Sequence, residues 1–153
     1  MSPTLADALL AYAHFLFMFA TVAVLAAELV LCRGALAPAQ ARRLAQVDQV
    51  YFVCAMGLLA SGLARLFFGA KGTAFYVHNP VFHLKLSLFV LVGLLSIAPT
   101  LRFLRWRKRA GADPAVGVDA LETARAARFV HAQLALVAAI PLLATLMARG
   151  LGN

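Results

Sequence analysis

Residues 5–32 read LADALLAYAHFLFMFATVAVLAAELVLC, and the only charged side chains in that run are Asp7 and Glu28. An α-helix needs roughly 20 mostly apolar residues to cross a bilayer, because in hydrocarbon every backbone N–H and C=O must find its partner within the segment. The run meets that length. Three more tracts of the same kind follow, at about 38–68, 79–103 and 119–149. The fold class expected is therefore all-α, an integral membrane four-helix bundle in which residues 1–153 form a single transmembrane domain. Composition agrees, with 63% hydrophobic and 13% charged residues against roughly 45–50% and about 25% in soluble chains. Disorder and a disulfide-built scaffold are disfavoured by that excess. The net charge of +8 does not imply nucleic acid, because basic residues in a membrane protein first report orientation.

Punctuation between the tracts fits this division. Ser2 and Pro3 suit a cap and first turn, and Arg33 and Gly34 end the first span. Gly69, Lys71 and Gly72 end the second, ahead of a short polar and aromatic loop at 73–78. Asn79 and Pro80 suit the start of the third span, which is expected to bend at Pro99 and to give way to a loop over 104–118. Asp119 with Glu122 resembles a capping box for the fourth span, where Pro141 marks a kink. Before the first tract there is no basic region and after it no cleavage site, so it reads as a retained span rather than a signal peptide. Cys32 and Cys54 lack metal-ligand spacing and read as small buried residues.

Four spans bring the chain back to its starting side. The two loops on the opposite side, with their flanks, hold Arg33, Arg42, Arg43, Arg102, Arg105, Arg107, Lys108, Arg109, Arg125 and Arg128. The terminal side claims Arg65, Lys71 and Arg149. Cytoplasmic loops carry the excess of Lys and Arg, so both termini are expected on the periplasmic side of a bacterial inner membrane. The cluster at 102–109 reads as this orientation signal and as contact with anionic lipid.

An ionisable side chain inside a span is costly and calls for a partner. His14, Thr21 and Glu28 are spaced by seven and so share one helix face, which must look into the bundle. Asp48, Tyr51, Ala55, Leu58, Gly62 and Arg65, and on the fourth span Arg128, His131, Ala135, Ala138, Leu142, Thr145 and Arg149, keep the spacing of packing seams. In the cytoplasmic half Glu28, Asp48, Arg125 and Arg128 bring opposite charges to similar depth, and a structural ion pair of Glu28 with Arg125 or Arg128 is expected. In the outer half His14, Arg65, His83 and Lys85 form the candidate chemical site. An imidazole ligates heme iron or copper, and arginine or lysine holds a carboxylate. His83 and Lys85 lie about 200° apart around a helix, so one of them is a flanking, snorkelling residue. His131, nearer mid-membrane, is a second candidate ligand, and His78 reads as a solvated loop residue. A copper site would draw on His14 and Met18, with Met56 and Met147 as soft ligands. Phosphate loops, Ser/His/Asp arrangements and paired catalytic carboxylates do not appear as recognisable patterns.

Five phrases carry a family resemblance: Ala-Tyr-Ala-His at 11–14, Arg-Arg-Leu-Ala-Gln-Val-Asp at 42–48, Asn-Pro-Val-Phe-His-Leu-Lys-Leu at 79–86, Leu-Leu-Ser-Ile-Ala-Pro-Thr at 94–100 and Met-Ala-Arg-Gly at 147–150. They resemble a family of bacterial four-helix integral membrane proteins over nearly the whole chain. That family is distantly similar to the membrane-type protoporphyrinogen oxidase of heme synthesis and to the membrane component of copper resistance. In the oxidase a first-span histidine and a third-span lysine are signature positions and b-type heme is carried, which implies His14 and Lys85 here. The oxidase's Trp-Phe-Ala-Gly-Leu-type phrase is replaced by residues 17–24.

Together these readings lead to a membrane oxidoreductase that binds heme b or a porphyrin in its outer half, for electron transfer or porphyrin oxidation. His14 would be axial ligand or catalytic base with Lys85, Arg65 and Lys85 would hold propionates, and His83 or His131 would be the second ligand. Lipid, quinone or porphyrin, and a second copy of the chain are the expected partners. The alternatives are a copper-handling or small-solute transport protein, or a cofactor-free structural membrane protein.

Overall fold

In the computed structural model, which describes residues 3–69 and 72–150, the chain forms α1 (Pro3–Leu31), α2 (Pro38–Phe68), α3 (Thr73–Val77), α4 (Pro80–Ala112) and α5 (Ala120–Ala148). All but the short α3 are long and apolar enough to cross a membrane. α1 packs on α2, α2 on α4, α4 on α5 and α5 back on α1, while the diagonal pairs stay apart. The result is a square bundle whose long helices alternate in direction. Ser2 and Lys71, named above, lie outside the described residues.

Local chemistry starts the helices where expected. The Asn79 side chain accepts from Val81 N at 2.9 Å, with Pro80 in the first turn. Asp119 accepts from Leu121 N at 2.7 Å and Glu122 N at 2.9 Å, satisfying donors that have no partner inside the helix. The reciprocal half of the capping box does not form. Glu122 turns instead to α4, accepting from Trp106 Nε1 at 3.0 Å and pairing with Arg109 at 3.7 Å.

That contact explains a correction. α4 continues to Ala112 instead of ending near Phe103, and the loop shrinks accordingly. Phe103, Trp106 and Ala110 are buried, and Arg42 Nη1 donates to the Ala110 carbonyl at 2.9 Å. Partners on α2 and α5 therefore hold turns that are too basic to count as membrane span. Helix α3 likewise forms where a loop was expected. Both interior prolines stay within their helices, and Pro99 is buried.

The core leans toward the basic end. Leu25, Leu44, Ala45, Phe103, Ala126 and Val130 are all buried there, and small residues such as Ala41, Ala45 and Ala126 let the helices approach closely. The two loops at this end are tied by an antiparallel bridge, Leu36 to Val118, with N···O distances of 2.8 and 2.9 Å. Gly117 sits so close to the Leu36 carbonyl that a β-carbon would come within 2.6 Å of it. In the opposite half α1 has no fully buried side chain from Thr4 to Ala20. Tyr12, Phe19, Phe52, Phe68 and Leu142 point outward, as lipid-facing residues do.

The asymmetry of Lys and Arg predicts which end meets the cytoplasm. A phosphatase reporter fused after the C-terminus is expected to be active and one inserted at 113–116 inactive. The reverse pattern would invert the orientation.

Candidate functional site

At the terminal end, α1 and α2 meet through His14 and Ser61, with His14 Nδ1 3.1 Å from Ser61 Oγ. Ser61 has one hydroxyl proton, and it goes to the Leu58 carbonyl at 3.1 Å. With that proton on Leu58, the hydroxyl can accept from the imidazole. In the tautomer that matches this arrangement Nδ1 carries the ring proton and Nε2 presents a lone pair. The approach depends on a glycine, because a β-carbon at Gly62 would stand 3.2 Å from His14 Cε1. One turn away Phe17 lies over Gly57, where a β-carbon would strike its ring.

Two cations lie near His14. The charges of Arg65 and Lys85 both reach His14, and they interact with each other. Arg65 Nε is buried without a hydrogen-bond partner, and the Lys85 ammonium lies 5.6 Å from the Phe82 ring centroid. Pairing of His14 with Ser61 and of Asp48 with Thr100 fixes the helix registers. On those registers Arg65 stands about one turn, and Lys85 about half a turn, nearer the terminal end than His14. The arrangement is a fixed imidazole with two positive groups between it and the water, suited to a ligand that offers an acceptor-seeking centre and carboxylates.

His14, Arg65 and Lys85 thus come together, whereas the other candidate ligands, His83 and His131, do not join them. His83 is exposed; its Nε2 donates to the Val77 carbonyl at 2.8 Å, tying α4 to α3, and its ring packs edge-on against Phe82. His131 is exposed on α5, roughly ten residues along the bundle from the His14 level, on the order of 15 Å of helical rise. Among the described residues no three His, Cys, Asp or Glu side chains gather as a metal-binding group. Sequence reasoning missed Ser61, although its position three residues after Leu58 on a packing seam was a signal.

The basic half differs from expectation. Glu28 is 1% exposed and Asp48 4%, yet neither meets a base. An ion pair joins Arg109 and Glu122 at 3.7 Å, and among the described residues Glu28 forms none. Arg125 and Arg128 are exposed because Ala126 and Val130 take the core positions of α5, turning the arginines outward. Arg102 lies over the Phe129 ring at 5.0 Å. Asp48 Oδ1 instead accepts from Thr100 Oγ1 at 2.8 Å. Beside them a groove of about 300 Å³ between α2 and α4 is lined by Asp48, Tyr51, Ser96 and Thr100 with Phe52 and Leu104.

Residues 6–152 match the model of a family described as "Predicted membrane protein (DUF2214)". No curated protein matches the chain, and no solved structure does.

Proposed function

The chain belongs to this family of predicted membrane proteins, and we propose that it binds heme b or a free porphyrin in the terminal half of its bundle. The function would be electron transfer or porphyrin oxidation, with a membrane quinone as the exchanging partner. The observation that carries the reading is the His14–Ser61 hydrogen bond: with Nδ1–H donated to Ser61, Nε2 is left as an oriented donor atom. Axial imidazoles need this arrangement, in which a hydrogen bond on one ring nitrogen orients the other and raises its basicity. Arg65 and Lys85, nearer the water, suit two propionates, which pair with cations through charge-assisted hydrogen bonds. The half of α1 without fully buried side chains gives a flat ring apolar surface to occupy.

When bound, heme supplies one-electron chemistry, and the protein supplies ligation, charge and exclusion of water. His14 would be the only imidazole ligand, since His83 and His131 lie elsewhere. The earlier resemblance to protoporphyrinogen oxidase supports the same pair, His14 and Lys85, and bears on the reaction only through them.

The test is a hemin titration of the detergent-purified protein. A saturable Soret band at one heme per chain, with α and β bands on reduction, is expected. Lys85→Met should weaken retention without displacing the band if the lysine meets a propionate. A protein that stays colourless after reconstitution overturns the proposal.

A further inference from the structure

The register set by His14 and Ser61 puts Glu28 and Asp48 at the same level of α1 and α2, both buried, where Thr100 of α4 bonds Asp48. Glu28 Oε1 is buried and finds no hydrogen-bond donor. Uncompensated carboxylates in a low-dielectric interior are costly, and buried charges are found paired, metal-bound or neutralised. Arginines that offered a pairing are turned away, as described above. Glu28 also stands one turn before the end of α1, where the last carbonyls have no partner within the helix and the helix dipole is negative. The last turn of α1 holds no basic residue. A further acceptor, Gln133 Oε1 on α5, is buried and unpartnered, and by helix register lies about one turn deeper.

We propose that Glu28 and Asp48 form a binding site for a hard, oxygen-seeking cation at the basic end of the bundle. Carboxylate oxygens are the donors that sodium, magnesium or calcium ions select, and no thiol or imidazole competes at this level except the buried Cys32. Thr100 orients Asp48 by its hydroxyl proton, leaving the other carboxylate oxygen to the ion. The site is separate from the heme proposal, being at the opposite end, and its test uses cofactor-free protein.

Protein purified in mild detergent and freed of metal by chelation is unfolded thermally in chlorides of sodium, potassium, magnesium, calcium or choline at matched ionic strength. One of the metal ions is expected to raise the midpoint above that in choline, by about 3–5 °C for each tenfold increase beyond its dissociation constant. Glu28→Gln is expected to abolish that rise, and Thr100→Val to weaken it. If Glu28→Gln does not fold, equilibrium dialysis of the radiolabelled ion against wild type and Thr100→Val decides. Equal midpoints in every chloride overturn the site, as does a cation response that survives in Glu28→Gln. Stability that follows pH but no metal ion also overturns it, and assigns the pair a shared proton instead.

Discussion

Alanine at position 14 is expected to abolish the heme spectrum. The Soret band gained on titration of the wild type should be absent or reduced to the broad absorption of non-specifically held heme, because the nearest other imidazole, His83, is exposed and bonded to Val77 and nothing on α1 replaces His14. The neighbours grade the effect. Ser61→Ala removes the hydrogen bond that fixes the ring and should weaken heme affinity roughly 10–100-fold, the range seen when a ligand's orienting partner is lost. Gly62→Ala places a methyl 3.2 Å from His14 Cε1 and should shift the band by crowding the ring. Titrations of the three variants, with helix content checked by circular dichroism, make the comparison. An unchanged spectrum in His14→Ala would falsify the ligand assignment while leaving the cation site untouched.

Trp106→Ala should be the most destabilising of the single changes. The indole is 3% exposed, packs on Phe103 at 5.4 Å between centroids and donates to Glu122 at 3.0 Å. Truncating a buried Trp costs about 3–5 kcal/mol. For a chain of this size that corresponds to a fall in the unfolding midpoint of roughly 6–20 °C. Trp106→Phe keeps most of the packing and loses the hydrogen bond, so about 1 kcal/mol is expected. If the two variants unfold together, packing of the emergent turns of α4 is not what holds the basic end. Heme titration of folded Trp106→Ala should match the wild type, since the two sites are at opposite ends.

Much of the architecture follows from residues in isolation. Hydropathy is a sum over local side chains, and four tracts above the length of a bilayer fix four crossings whatever their neighbours do. Caps at Asn79 and Asp119 are equally local, since each side chain bonds a backbone N–H two residues on. The seven-residue spacing of His14, Thr21 and Glu28 correctly puts them on one face, because angles within a helix are set by its pitch. Depth along the bundle is legible for the same reason, which is how the His14 group and the Glu28 group separate.

The sequence alone could not determine rotation of one helix against another. Periodicity gives relative angles within α5, but whether Arg128 or Val130 faces inward depends on which face buries more apolar area against α1 and α4. Val130 does, so Glu28 loses its expected partner and Asp48 takes Thr100. Length had the same limit in α4, where Arg105 to Arg109 look like loop by hydropathy yet remain helical because Trp106 and Ala110 find partners on α5 and α2. The His14–Ser61 hydrogen bond was the furthest from reach. It joins residues 47 positions apart, a contact that exists only once α1 and α2 are packed.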